Sequence, residues 1–393
     1  MKSILPRNVG VALALAIVGS AACSSTTTPM SDAGSDAGPT GVLPFQPSNV
    51  SLTGIDVSKV ADADITGNCT IQTDGDTDCF PDTYATAQVV QSDGTKVDVI
   101  VVKSLRLEAA ANLNVSGGIP LVLISLGDMT LLGTFDAGAN TDTGNAGGFT
   151  QETSNAKGGG PGGGPGAVDS SPGYAAGGGS FCGLGGIGGT EPGATGTPAA
   201  TAAYGTPDLR PLMAGSSGGM GAAGGAGAGG GAVQLVAGGT FMMNAGSYIN
   251  VGGGGGNFGG TASQEAGGGG AGGSILIEAT TVSIAGILAA NGGGAGSCGT
   301  GSEDGSDGTP NSTAAAAGAG TSAGGAGSAG GTTAGSPGTV DTAGDCAGGG
   351  GGGAGRIRIN SSTPATITAA TFSPTVASSC AGTGTVRATG SGV

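Results

Sequence analysis

The sequence predicts an all-β fold: a short right-handed parallel β-helix with long glycine-rich insertions and a small N-terminal β cap. Three observations lead there. A hexad of alternating apolar residues closed by a small one recurs five times, as SLRLEA from Ser104, PLVLIS from Pro120, AVQLVA from Ala232, SILIEA from Ser274 and RIRINS from Arg356. Each hexad is followed by a second short strand, and three of them by a third. The 92 glycines of the 393 residues cluster between the copies.

Taken in order, the chain opens with Lys2 and Arg7 before an apolar run, then Gly19, Ser20, Ala21, Ala22 and Cys23. That order reads as a secretory signal over residues 1–22, too short for a stable membrane span. A cysteine behind small residues resembles the bacterial lipoprotein signal, which implies lipidation of Cys23 and a membrane partner through that anchor. Plain secretion is the alternative. Residues 23–42 are Ser, Thr, Asp, Ala, Gly and Pro without apolar period, a disordered tether. The location expected is the cell envelope, anchored at the outer membrane and facing the surface or the periplasm.

Setting Cys23 aside leaves Cys69, Cys79, Cys182, Cys298, Cys346 and Cys380. In an exported, oxidising setting these suit three disulfides, of fifteen possible connectivities. Cys69 with Cys79 is the most local pair, Cys298 with Cys346 would pinch one insert, and Cys182 with Cys380 remains.

Residues 43–103 read as the N-terminal cap, with short strands and a hairpin signal at Asp93-Gly94 before KVDVIVV. Asp74, Asp76 and Asp78 alternate inside the Cys69 to Cys79 loop. Alternating carboxylates suit Ca²⁺, which takes six to eight oxygens. The EF-hand pattern fails, however, with Cys79 where Gly is needed, so a solvated acidic turn competes with the calcium reading. No other cofactor is expected.

Residues 104–393 form the repeats. Leu105 and Leu107, Leu121 and Leu123, Val233 and Leu235, Ile275 and Ile277, and Ile357 and Ile359 fall on one face of their strands. The opposite face carries Arg106, Glu108, Gln234, Glu278, Arg358 and Asn360, expected as a solvated ladder. One such coil cannot bury its own apolar face, and stacking does it. Right-handed crossovers are strongly favoured between parallel strands. A β-sandwich is the alternative, but tight hairpin signals are scarce here. Inserts over residues 144–231, 252–273 and 292–355 leave after the third strand and return before the next hexad, so they emerge from one corner. They either pack as extended chains, close together for want of Cβ atoms, or remain disordered linkers.

The leader to Cys23, the stretch IPLVLISLGDMTLLGTFDAGAN (Ile119 to Asn140) and the unit running from GGG through a hexad to ANGGG resemble glycine-rich surface lipoproteins of predatory and soil bacteria. The resemblance implies an extracellular location and a repetitive β-fold, with no assigned activity.

Composition narrows the chemistry. The chain has no His, which excludes Ser/His and Cys/His catalytic pairs and His-ligated metals. Its formal charge of −15 repels nucleic acid, which is not expected as a partner. Matches to GxGxxG lack a strand-to-helix context and follow from glycine abundance. The function expected is a non-enzymatic, lipid-anchored cell-surface structural or adhesive protein touching a polysaccharide or matrix component. The alternative is a polysaccharide-active, lyase-like or polysaccharide-binding β-helix protein.

Overall fold

A computed structural model of the chain describes residues 43–80, 83–151, 157–170, 172–196, 199–222, 224–260, 264–340 and 346–389. Among these the fold is all-β, without helices. The strands are β1 (Asp62–Ile65), β2 (Cys69–Thr73), β3 (Ala85–Val90), β4 (Lys96–Val102), β5 (Ser104–Leu107), β6 (Asn112–Gly117), β7 (Leu121–Ser125), β8 (Met129–Leu131) and β9 (Thr134–Asp136). They continue as β10 (Ala232–Met243), β11 (Tyr248–Asn250), β12 (Ser274–Ile284), β13 (Ile287–Ala289), β14 (Arg356–Ser361), β15 (Thr366–Ile367), β16 (Thr371–Ser373) and β17 (Ala381–Gly384).

They form an eleven-stranded and a six-stranded sheet, parallel throughout except for the β3–β4 hairpin. The larger sheet holds two ladders. One runs β4, β7, β10, β12, β14 and β17. The other runs β1, β5, β8, the second halves of β10 and β12, and β15. The smaller sheet is the third ladder, β2, β6, β9, β11, β13 and β16. β10 and β12 are long because each passes through two ladders, with their register shifting between Ala237 and Thr240 where one ladder gives way to the next. This β-solenoid-like arrangement explains the unit of hexad, second strand and third strand.

The first copy sits one strand away from where hexad alignment puts it. SLRL forms β5 and pairs with β1 and β8, in the second ladder, while β4 is the true neighbour of β7. The strands of residues 43–103 therefore continue the sheets of residues 104–393, and neither sheet breaks at 103. The cause is physical: β4 is buried on both faces and lacks alternation, so its run VDVIVV looks unlike the other hexads.

The ten leucine, isoleucine and valine positions named for one face all lie in one buried core with Met129, Phe135, Phe241, Ile249 and Leu288. A second cluster coats the outer face of the first ladder. There Val97, Val99, Val101, Val122, Ile124 and Leu276 meet Leu43, Phe45 and Val50 from the N-terminal segment, and Leu209 and Leu212 from the first insert. Burial of apolar side chains on both faces contributes roughly 1.5–3 kcal/mol for each large one.

That cover overturns the solvated ladder at three positions. Glu278 and Gln234 are fully buried and Asn360 nearly so. The Glu278 carboxylate accepts from the Ser48 amide at 2.9 Å, the Ser48 hydroxyl at 2.6 Å, Gln234 Nε2 at 2.6 Å and Asn360 Nδ2 at 3.3 Å. A buried carboxylate needs such donors in place of water. Arg358 donates to Asn360 Oδ1 at 2.8 Å, and Arg106 and Glu108, in the second ladder, form an exposed ion pair.

Candidate functional site

The described parts of the inserts are held by main-chain hydrogen bonds, which follow a period of three along residues 266–273. Residues 266, 269 and 272 donate to the carbonyls of Ala347, Gly350 and Gly353. Residues 267, 270 and 273 donate to Asn257, Gly254 and Val251, while 268 and 271 donate to Gly219 and Ser216. The carbonyls of the same chain accept from three further segments, through Gly293 and Gly296, Gly227 and Gly230, and Ala176 and Gly179. One extended chain is thus bonded to six neighbours. Three residues per turn without internal hydrogen bonds is the geometry of a polyproline II helix, and here glycine chains in that form pack side by side. A Cβ at Gly268 would stand 2.0 Å from the Gly177 carbonyl oxygen, so that position admits only glycine.

The same period sorts the lobe's surface. Leu184 and Ile187 are exposed, whereas the glycines around them are buried. The next segment joins them in register, Gly335 N–H donating to Leu184 O and Gly338 N–H to Ile187 O, both at 2.9 Å. Exposed Ala334 and Pro337 fall on that segment, again three apart. Rows of outward side chains therefore repeat about every 9 Å along each chain.

Exit and re-entry points are stacked. Asp136 and Asn250 are in register, as are Asn250 and Ala289, and on return Ala232, Ser274 and Arg356. At this corner lies an open groove of about 420 Å³. Its floor is the register row Asn114, Asp136 and Asn250 on the outer side of the third ladder. Asn140, just before the first insert, and Asn145 within it rise on it, and Asp307 and Thr309 of the third insert close it. Asp136 Oδ1 accepts from Gly138 N–H at 2.8 Å and Asn250 Nδ2 at 3.1 Å, and Asp307 Oδ1 accepts from Gly255 N–H at 2.8 Å. Both carboxylates are held by main-chain amides, Asp136 by Gly138 just after its strand and Asp307 by Gly255 of the second insert.

The cysteines pair as Cys69–Cys79, Cys182–Cys380 and Cys298–Cys346, with Cα separations of 5.0, 5.7 and 6.3 Å. Three disulfides belong to an oxidising, exported setting. Cys182–Cys380 ties the first insert to the end of the first ladder, and Cys298–Cys346 closes the third insert. No helix among the described residues is long and apolar enough to cross a membrane. Cys23 lies outside the described residues.

Asp74, Asp76 and Asp78 are exposed and, among the described residues, do not converge as a group of three ligand atoms. Asp78 turns back to accept the Thr70 amide at 2.6 Å. Among the described residues the one cluster with ligand spacing contains Asp78 with Cys69 and Cys79, whose sulfurs are joined to each other.

Two acidic residues gave no signal in the sequence. Glu191 and Glu265, from different inserts, are buried and hydrogen-bonded through their side chains. Glu191 accepts from Gly173 N–H at 2.7 Å and Glu265 from Ala347 N–H at 2.8 Å. Burial, and then the neighbouring Glu191, push the Glu265 carboxyl up to about 8, so it is protonated at neutral pH and donates to its partner. Isolated glutamates among glycines belong to no spacing motif, and only the fold brings them together.

No protein-family model, curated protein or solved structure matches this chain.

Proposed function

We propose that this protein is a non-enzymatic, lipid-anchored cell-surface protein with a structural or adhesive role, whose three ladders close into a right-handed parallel β-helix. The observation that supports it most is the six-neighbour glycine chain over residues 266–273. A lobe bonded in every lateral direction is stiff, and its exposed rows of Leu184, Ile187, Ala334 and Pro337 have fixed spacing. Such a surface suits repeated weak contacts with a matrix. Cys23 supplies the lipid anchor at the outer membrane and residues 23–42 the spacer.

The test is metabolic labelling with palmitate and protease treatment of whole cells. The wild-type chain incorporates label and is clipped from outside, and Cys23→Ala is unlabelled and released to the medium. An unlabelled wild-type chain recovered in the medium overturns the anchor.

A second reading, a polysaccharide-binding protein, is favoured by the corner groove.

A further inference from the structure

We infer that the corner groove between the third ladder and the first and third inserts is a binding subsite for a neutral polysaccharide. The inference supplies a ligand class for the adhesive reading and rests on it only for biological setting. Its floor presents Asn114, Asp136 and Asn250 from three successive strands, one side chain per strand at about 4.8 Å. That rise is comparable with the length of one pyranose unit in an extended chain, so Asn114 and Asp136 can meet successive sugars, while buried Asn250, bonded to Asp136 Oδ1 and to Gly252 N–H, backs them.

The chemistry fits hydroxyl groups. A carboxylate accepts two hydroxyl protons, and a carboxamide both donates and accepts, so a mixed row matches vicinal diols. Among the described residues the side-chain amides of Asn114 and Asn140 have no protein hydrogen bond, and both residues are exposed to the groove. Asp136 and Asp307 each use one oxygen to reach the main chain, which fixes them and leaves the second oxygen for a ligand. About 420 Å³ is within the range of small-ligand sites, and the open shape lets a polymer continue beyond it.

The lining also rejects. It contains two carboxylates and no Lys or Arg, so uronates, sulfated glycans and phosphate polymers meet repulsion without compensation. The absence of an aromatic platform in the lining makes binding depend on hydrogen bonds, hence on side chains that substitution can remove.

The experiment is affinity electrophoresis of the full chain, in mild detergent, through gels containing dextran, laminarin, galactomannan or xyloglucan, with polygalacturonate as the anionic control. At least one neutral polymer is expected to retard the protein and polygalacturonate to leave it unchanged. The double variant Asn114→Ala/Asn140→Ala removes exposed amides without touching the core and should weaken retardation at least tenfold at an unchanged melting temperature. Thr309→Trp, which fills the groove from the rim, should do the same. The inference fails if no neutral polymer retards the protein, if polygalacturonate retards it equally, or if both folded variants bind as the parent does. Cys23 labelling reads none of these groups, so the anchor and the groove stand or fall separately.

Discussion

Glu191 and Glu265 share a hydrogen bond inside the glycine lobe, joining the first and second inserts, while Ala347 of the third insert donates its amide to Glu265. Two carboxyls can meet in a buried place only if a proton stays between them. A group whose pKa is raised from 4.5 to about 8 by folding binds its proton more tightly in the native state than in the unfolded one. Stability is then greatest below the unfolded value, falls as pH rises from about 4.5 to 8, and levels off above.

The slope is at most about 1.4 kcal/mol per pH unit across that window. Buried Asp98, whose carboxyl is also raised by desolvation, adds to it with the same sign. Thermal melts at intervals from pH 4.5 to 9 should show the decline, and Glu265→Gln, which keeps a donor at the site, should flatten it. An unchanged slope in that variant would exclude the pair as its source.

Gly268→Ala should destabilise the protein by more than about 3 kcal/mol or block folding, because the nearest atom to the new methyl is a main-chain carbonyl that no rotamer can move. Gly67→Ala, where a Cβ meets nothing within 4 Å, should change the melting temperature little. Amide exchange gives an independent reading: the amides of residues 267–272 should exchange near the global unfolding limit.

Cys182→Ala/Cys380→Ala opens a link between residues 198 apart, and Cys69→Ala/Cys79→Ala one between residues 10 apart. Loop-closure entropy predicts losses of about 5 and about 2.5 kcal/mol respectively. Denaturant melts of the two double variants should therefore differ about twofold in destabilisation.

Glu278→Ala leaves Ser48, Gln234 and Asn360 facing a cavity with their donors unmet, at a cost of about 3 kcal/mol. The first segment to loosen should be that around Phe45, buried in the native protein. Brief chymotrypsin treatment should cut there in the variant and spare the parent.

Much of the strand plan was legible because alternation is local. Ile275 and Ile277 face the core and Glu278 faces away, as period two requires. What hid was everything decided by distant chain. Glu278 is buried because Ser48, 230 residues earlier, crosses over it, and isolated Leu43, Phe45 and Val50 carry no period that announces such a cover. β4 carries no hexad signature because a strand buried on both faces has no alternation. In the groove, Asn114, Asp136 and Asn250 come from three strands and gain meaning only from register. The glycine runs left packing and disorder open, since composition cannot say whether neighbouring inserts are aligned. The stacked exits at Asp136, Asn250 and Ala289 align them.

The threefold turn of the lobe's chains also governs how such a protein can change in length. Adding three residues to a glycine run extends it by one full turn and leaves every outward side chain aimed as before. Adding one rotates all that follow by a third of a turn, carrying Leu184 and Ile187 inward and buried glycines out. Insert lengths in descendants of this chain should therefore drift in steps of three.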